Sequence, residues 1–333
     1  MSPRLVFSLA LAGLVCARAG AQNNSDPLTQ QVRGVFERCQ SAVVKIEAVD
    51  EHGKLSGSGF FVDPTGTLYT CYSVGGESRD IVVSQGDMKY TATRLAADPR
   101  SGLAILKVEA RTPFLPIGKS KNLEAGSMVM TIGYPLDMPI TPNFGCVGGW
   151  NLKYLQSYFA AAHLRANVPV QRGEGGAPLL NMNGEAVGIL VSSLENGAGC
   201  FALPIEAAEK IRGDFMRFGE LRPGWLGIKF SDGEKSAEGS AVRVEDFVRG
   251  APAEKSGVRR GDILLQVGIN KIATPDDVVN AAFYLTAGDE VPLTVSRDGE
   301  RVELRIQPAD HPDTPHPTAA LPSAAGIPLK LSR

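Results

Sequence analysis

The chain has 333 residues, of which 43% are hydrophobic and 21% charged, and its formal net charge is −2. These values are typical of globular proteins, and the length suits about two domains of ordinary size. The near-neutral charge gives no support for nucleic acid or an anionic membrane surface as a partner. The 37 glycines and 22 prolines favour a turn-rich, mainly β fold.

The first 21 residues have the pattern of a secretory signal peptide. Arg4 precedes the apolar stretch LVFSLALAGLVC, and Ala19-Gly20-Ala21 supplies the small residues of a cleavage site. The apolar stretch is too short for a stable membrane span. We therefore predict cleavage after Ala21 and a periplasmic or secreted mature protein.

Cleavage would leave four cysteines, which are Cys39, Cys71, Cys146 and Cys200. No two of them have Cys-x-x-Cys spacing and the histidines are scattered, so the sequence predicts no metal site and no cofactor. A disulfide is permitted outside the cytosol, and Cys146–Cys200 is the pairing we favour among the three connectivities that four cysteines allow. Buried free thiols are the alternative.

The chain after the signal begins with a lead-in and continues as a series of short strands. Residues 22–40 form a flexible or helical lead-in, because QQVRGVFERCQ has apolar residues at helical spacing. Short apolar runs bounded by Gly, Asp or Pro then follow in two blocks of about six, the second of which contains GCVGGW and HLRANVPV. Two such blocks predict two β-barrels packed face to face.

The second half of the chain changes in character. Residues 205–221 have apolar residues along one face and predict a helix that Gly219 ends. Pro223-Gly224 then indicates a linker to a smaller α/β unit, which we place at residues 222–308. Residues 309–333 are rich in Pro and Ala without periodicity, and we predict that this tail is disordered.

Several segments, in this order, resemble the high-temperature-requirement (HtrA) family, in which a chymotrypsin-like protease domain precedes a PDZ domain. Residues 41–221 resemble the protease domain through GSGFFVDPTGTLYTCYSV, DPRSGLAILKVE, VMTIGYP and VQRGEGGAPLLNMNGEAVGI. Residues 222–308 resemble the PDZ domain through GWLGIKF and GAPAEKSGVRRGDILLQVGINKI. The resemblance implies a mainly β fold, a chymotrypsin-like double β-barrel followed by a small α/β PDZ domain.

The resemblance does not extend to the catalytic triad of the family. At the positions of the family's histidine, aspartate and serine, this chain has Ser73, Gly102 and Gly175. An alcohol cannot take a proton at neutral pH as imidazole does, and a glycine can neither attack a carbonyl carbon nor orient a base. With all three positions replaced, we predict no catalytic residue and a pseudoprotease.

The sequence allows more than one role for Glu174 and His163. The family's oxyanion hole corresponds to Gly173, Glu174 and Gly175. The Glu174 carboxylate would oppose a developing oxyanion or occupy the hole itself, unless it is an ordinary solvated loop residue. A rearranged active site would need His163 or Cys71, although His163 fits a half-buried strand position as well.

The resemblance implies peptide binding by the PDZ-like unit. The loop whose backbone N–H groups receive a peptide's terminal carboxylate corresponds to Trp225, Leu226, Gly227 and Ile228. The segment PDDVVNAAFYL would be the groove helix, with Val279 and Phe283 facing the ligand. A unit that only packs against the barrels is the alternative.

Together these features predict an exported HtrA-like pseudoprotease that binds unfolded or C-terminal peptide segments of envelope proteins, as a chaperone or adaptor. The family assembles into trimers, so the resemblance also implies a homotrimer or a joint assembly that regulates active relatives. The alternatives are an active serine-type endopeptidase with a rearranged site and a purely structural envelope protein. No nucleic acid, and no membrane span after cleavage, is expected.

Overall fold

The computed structural model describes residues 26–311, apart from 156, 195, 196, 234, 235, 237 and 238. The predicted signal peptide and residues 312–333 of the predicted tail lie outside the described residues. In the part of the chain that is described, no helix is long and apolar enough to cross a membrane.

The described residues form five α-helices and nineteen strands. The helices are α1 (Pro27–Cys39), α2 (Tyr72–Gly75), α3 (Ile205–Phe218), α4 (Pro252–Lys255) and α5 (Pro275–Phe283). The first sheet contains β1 (Val43–Val49), β2 (Lys54–Phe61), β3 (Thr67–Cys71), β4 (Arg79–Gln85), β5 (Met88–Thr91), β6 (Thr93–Asp98) and β7 (Leu103–Lys107). The second contains β8 (Met128–Gly133), β9 (Thr141–Tyr154), β10 (Ser157–Asn167), β11 (Pro178–Asn181), β12 (Ala186–Ser193) and β13 (Cys200–Pro204). The third contains β14 (Ile228–Asp232), β15 (Val242–Phe247), β16 (Ile263–Val267), β17 (Asn270–Lys271), β18 (Val291–Arg297) and β19 (Glu300–Ile306).

The first two sheets pack face to face, as predicted. The first is antiparallel in the order β5-β4-β1-β2-β3-β7-β6, and the second closes as the barrel β10-β13-β12-β11-β8-β9. Phe60 and Tyr69 of the first sheet share one buried apolar cluster with Ile132 and Ile189 of the second. Burial of this cluster is a main stabilising term for the double-sheet unit, since the free energy gained scales with the apolar area removed from water.

The predicted strands GCVGGW and HLRANVPV belong to one long hairpin. The strands β9 and β10 have 14 and 11 residues, so they extend through most of the segment between the two predicted runs. The extension has mixed burial, with exposed Leu155 and Tyr158 near the turn. The period-2 pattern that predicts a half-buried strand is therefore absent there, and the prediction was too short.

The predicted disulfide between Cys146 and Cys200 is wrong for this structure, in which all four described cysteines are free thiols. Cys146 in β9 pairs with Asn167, and Cys200 in β13 pairs with Ala166, so β10 lies between the two cysteines. Two strand spacings amount to about 9–10 Å. A disulfide needs Cα atoms within about 7 Å of each other.

The helix α3 closes the double-sheet unit and begins and ends close to the predicted residues. Ile205, Ala208 and Ile211 form its buried face against the shared apolar cluster. The helix ends at Phe218, and the N–H of Gly219 donates to the Phe215 carbonyl at 2.8 Å, as expected for a glycine that stops a helix.

The third sheet and α5 form the smaller unit. Its strand order is β14-β15-β16-β18-β19, with β17 paired to β16, so β14 is an edge strand. Pro275 occupies the first turn of α5, and Thr274 and Asp277 form a capping box there. Val278 and Ala281 bury one face of α5 in the core of this unit.

The smaller unit is held firmly against α3. Asp214 accepts hydrogen bonds from Thr286 Oγ1 at 2.7 Å and from Lys210 Nζ at 2.6 Å. Arg217 makes a bidentate ion pair with Asp289 at 2.8 and 2.9 Å. The predicted linker is also paired, because Pro223 forms an antiparallel bridge with Thr286.

The start of the predicted tail is ordered. Ala309 and Trp225 exchange backbone hydrogen bonds of 2.7 and 3.0 Å. Arg222 forms an ion pair with Asp310 at 3.1 Å. The described chain therefore continues to His311, which contacts the Trp225 ring.

Candidate functional site

A cleft of about 400 Å³ has walls from both sheets of the double-sheet unit. Its lining includes Ser56 of β2, Ser73 of α2 and the end of β12, together with the loop of residues 170–175. This loop contains the predicted remnant of the oxyanion hole. The cleft therefore lies where two facing sheets position loops from each, which is the usual place for a binding site on such a scaffold.

The three residues predicted at the triad positions lie in or beside this cleft. Ser73 and Gly175 both line it. Gly102 is adjacent, because its carbonyl accepts a hydrogen bond of 2.6 Å from the N–H of Tyr72, the residue before Ser73. A Cβ atom built on Gly175 would stand 3.0 Å from Sγ of Cys71, so the thiol limits the room for any side chain there.

The groups near Ser73 do not activate a nucleophile. Ser73 Oγ is 3.1 Å from Cys71 Sγ, and neither group is a base at neutral pH. Cys71 is 1% exposed, and burial raises the pKa of its thiol, which therefore stays protonated. Because the thiolate is the reactive species, Cys71 is a poor nucleophile in this setting.

His163 does not reach the cleft. Its side chain is 1% exposed, stacks on Phe159 with ring centroids 4.3 Å apart, and has Nδ1 2.7 Å from the Ala161 carbonyl oxygen. It is thus fully buried rather than half-buried, and it is not among the residues that line the cleft. Burial lowers the pKa of His163 to about 4, so the ring is neutral at pH 7.

Glu174 is buried and bonds neither Gly173 nor Gly175, so it is not a solvated loop residue and does not occupy the predicted hole. One carboxylate oxygen accepts from Asn143 Nδ2 at 2.7 Å, and the other accepts from the N–H of Gln171 at 2.6 Å. Burial raises the pKa of Glu174. Nothing in the sequence pattern pointed to Asn143, which lies 31 positions away and reaches Glu174 only through the packing of β9.

In the smaller unit, part of the predicted carboxylate-binding loop is available. The Trp225 N–H is already bonded to the Ala309 carbonyl. The carbonyls of Leu226 and Gly227 accept from the N–H groups of Ala253 and Val248 at 3.1 and 2.9 Å. Because N–H and C=O of a trans peptide point in opposite directions, the N–H groups of Gly227 and Ile228 are directed away from these partners.

The groove helix α5 is only partly accessible to a peptide ligand. Val279 is 37% exposed, as a ligand-facing residue could be. Phe283 packs with Tyr284 against the apolar cluster of the double-sheet unit, so its predicted ligand-facing role is wrong. The Asn280 side chain also accepts a hydrogen bond of 2.9 Å from the N–H of Ala162 in β10, which holds this face of α5 against the barrel.

Among the described residues, no three His, Cys, Asp or Glu side chains are grouped so that they could hold a metal ion. The polar groups of the cleft include backbone amides, serine hydroxyls and the exposed Gln171 and Arg172. Groups of this kind bind peptides and anions through hydrogen bonds.

The fold and the cleft define a trypsin-like domain followed by a PDZ domain. Residues 57–189 match the family described as "Trypsin-like peptidase domain", and residues 224–307 match "PDZ domain". Two similar proteins share the name "Probable periplasmic serine endoprotease DegP-like". The one from Ectopseudomonas mendocina is 30% identical over 285 residues, covering 81% of this chain and 60% of the relative. The one from Chlamydia trachomatis is 28% identical over 263 residues, covering 75% of this chain and 53% of the relative.

Solved structures agree with the fold. "HtrA-type protease AlgW with tripeptide" superposes with a TM-score of 0.71 at 21% identity, covering 85% of this chain and 98% of that one. "Crystal structure of the serine endoprotease from Yersinia pestis" gives a TM-score of 0.60 at 24% identity, with coverages of 84% and 98%. The chain is thus similar to periplasmic DegP-like endoproteases and has the fold of HtrA-type proteases, and it spans about half to 60% of the length of the two DegP-like relatives.

Proposed function

We propose that this chain is an exported HtrA-family protein of the periplasm that binds peptide segments without cleaving them. The observation that carries the proposal is the cleft, which is built from both sheets and is lined by Ser73 and Gly175, with Gly102 beside it, at the positions expected for a catalytic triad. The names of the curated relatives support the compartment, and the peptides in the titles of the solved relatives support the ligand class.

The absence of hydrolysis follows from the chemistry of these positions. Acyl transfer needs an activated nucleophile, and Gly175 has no side chain to supply one. The side chains that could replace the triad, Cys71 and His163, are both buried, and His163 lies outside the lining of the cleft. A peptide bound in the cleft would therefore be held and released intact.

The role we propose is that of a chaperone or adaptor. Unfolded segments would lie in the cleft, and C-terminal segments would bind the PDZ loop through the N–H groups of Gly227 and Ile228. Assembly as a homotrimer, or with active relatives that it regulates, is part of the proposal and can be measured by light scattering of the purified chain alone and mixed with an active HtrA protease.

Hydrolysis of casein and of a quenched fluorescent peptide tests the main claim, with an active HtrA protease as positive control. We expect no turnover from the wild-type chain. We also expect none from Gly175→Ser, because a hydroxyl without a neighbouring base is a weak nucleophile. Turnover that survives repurification and disappears in His163→Asn or Cys71→Ala would establish the rearranged endopeptidase instead.

A binding assay separates the adaptor from a purely structural protein. Reduced, unfolded lactalbumin and a labelled peptide are suitable probes for the full chain. We expect saturable binding of both and slower aggregation of the unfolded protein. A structural protein would bind neither probe.

A further inference from the structure

The loop of residues 173–177 leaves two backbone donors free in the cleft. Three of its five N–H groups have acceptors: Glu174 donates to Gln171, Gly176 to Leu190 and Ala177 to Glu174. The N–H groups of Gly173 and Gly175 have no acceptor within the described part of the chain. Gly173 and Gly175 are half-buried and line the cleft, so their unpaired N–H groups are accessible to a ligand with a hydrogen-bond acceptor.

The carbonyls of the two peptide groups fix the direction of these donors. The Arg172 carbonyl accepts from the Leu136 N–H at 2.7 Å, and the Glu174 carbonyl accepts from the Ala177 N–H at 3.0 Å. The described chain has no cis peptide bond, so the N–H groups of Gly173 and Gly175 point opposite to Leu136 and Ala177. Both residues line the cleft, and Leu136 does not.

Contacts from the first sheet hold the loop in place. Ser58 donates from its N–H to the Gly175 carbonyl and from its hydroxyl to the Gly173 carbonyl, both at 2.8 Å. The two donors are therefore positioned before any ligand arrives, which reduces the ordering cost of binding.

The segment that supplies the Leu136 donor is strained and tied down. Leu136 and Asp137 have φ of 50° and 60°, a left-handed conformation that costs non-glycine residues free energy. Asp137 is held by Lys45 at 3.1 Å and by Ser56 at 3.2 Å, and the Lys45 ammonium keeps the pKa of Asp137 below its usual range. The fold maintains this conformation although no nucleophile uses the hole.

The cleft also has room for an anion. The Glu174 carboxylate is bonded to Asn143 and Gln171 and does not fill the hole. Gly175 places no side-chain atom in the cleft, although Cys71 Sγ leaves little room beside its Cα, and Ser73 lines the same cleft. Behind it the walls are apolar, with Val170, Leu190 and Val191.

We propose that the cleft binds the free α-carboxylate of a peptide, with its last side chain apolar and placed against these walls. One carboxylate oxygen would accept from Gly173 and Gly175, and the second would point into the open cleft toward Ser73. A carboxylate accepts stronger hydrogen bonds than the neutral carbonyl of an internal peptide. The inference rests on the proposed function, since an active protease would cleave peptides in this cleft.

Fluorescence anisotropy with the full chain tests the inference. The probes are a labelled heptapeptide that ends in Ala-Val with a free carboxylate, and the same peptide as a C-terminal amide. Gly227→Ala removes the contribution of the PDZ loop, because a Cβ atom on Gly227 would stand 2.2 Å from Cβ of Ala251. In this variant we expect the acid to bind at least about tenfold more tightly than the amide.

A matched pair of substitutions then places the carboxylate. The background carries Gly227→Ala and also Cys71→Ala, which makes room beside Gly175. In this background, Gly175→Asp and Gly175→Asn add side chains of equal size and different charge. We expect the acid probe to bind Gly175→Asp at least about tenfold more weakly than Gly175→Asn, and the amide probe to bind both equally. A second pair, Leu136→Pro and Leu136→Gly, disrupts or keeps the segment that holds the Arg172 carbonyl, because proline has no N–H and cannot adopt a φ of 50°. The acid preference should be lost only with proline.

Three results would overturn the inference. They are equal affinity for acid and amide in Gly227→Ala, equal binding of the acid to Gly175→Asp and Gly175→Asn, and an acid preference that survives Leu136→Pro. Each leaves the proposed non-hydrolysing function intact, provided that the amide probe or unfolded lactalbumin still binds. Turnover of casein would instead reject the proposed function.

Discussion

Protonation of His163 should destabilise this protein at mildly acidic pH, and His163→Asn should remove that effect. The imidazole is 1% exposed and stacked on Phe159, with a backbone carbonyl as the neighbour of Nδ1. A protonated ring would be a buried cation without a carboxylate partner among the contacts of His163 given by the structure. The asparagine amide can donate to the same carbonyl but does not titrate.

The magnitude follows from the pKa of His163. Burial lowers it from 6.5 to about 4, and one pKa unit is worth about 1.4 kcal/mol, so full protonation costs about 3.5 kcal/mol of folding stability. Between pH 6.5 and pH 4 the unfolded state binds more protons than the folded state at this residue. Stability therefore decreases as the pH falls through this window, and the loss is complete below the folded pKa.

Urea denaturation at several pH values between about pH 7.5 and about pH 4 measures this effect. Other titrating groups are common to both proteins, so the quantity of interest is the difference between wild type and His163→Asn at each pH. That difference should shift in favour of the variant by about 2–3 kcal/mol over the range. Parallel profiles would refute the reasoning, because they would mean that His163 is solvated or paired with an anion.

Other predictions concern the junction between the domains. Asp214→Ala should lower the free energy of unfolding by about 3–5 kcal/mol, because it leaves the largely buried Lys210 ammonium unpaired, and adding Lys210→Met should recover most of the loss in urea denaturation. Thr286→Val should cost only about 1 kcal/mol, since Lys210 still pairs with Asp214. Arg217→Ala removes a partly exposed pair with Asp289 and should cost less than about 1 kcal/mol, with the difference shrinking at high salt. A cost for Arg217→Ala as large as that for Asp214→Ala would contradict this ranking.

The local features of the fold could be predicted where the chain's own periodicity or turn residues specify them. The helix over residues 205–218 has its apolar face and its terminating glycine within one segment, and the structure places it there. The β9–β10 hairpin was underestimated because residues near Leu155 and Tyr158 do not alternate between apolar and polar. The Phe283 prediction failed because α5 packs two faces, one in its own domain and one on the barrel, and helical spacing does not distinguish them.

The sequence alone sets the chemistry of Ser73, Gly102 and Gly175, because a glycine has no side chain in any fold and a serine hydroxyl is never a strong base. The tertiary structure decided what remains of the site. The hydrogen bond from Asn143 keeps Glu174 out of the hole. The strand between Cys146 and Cys200 separates the two thiols. The burial of His163 prevents it from acting as a base in the cleft. These are contacts between residues far apart in the chain, and their free energies depend on solvent exclusion, which no local pattern of residues encodes.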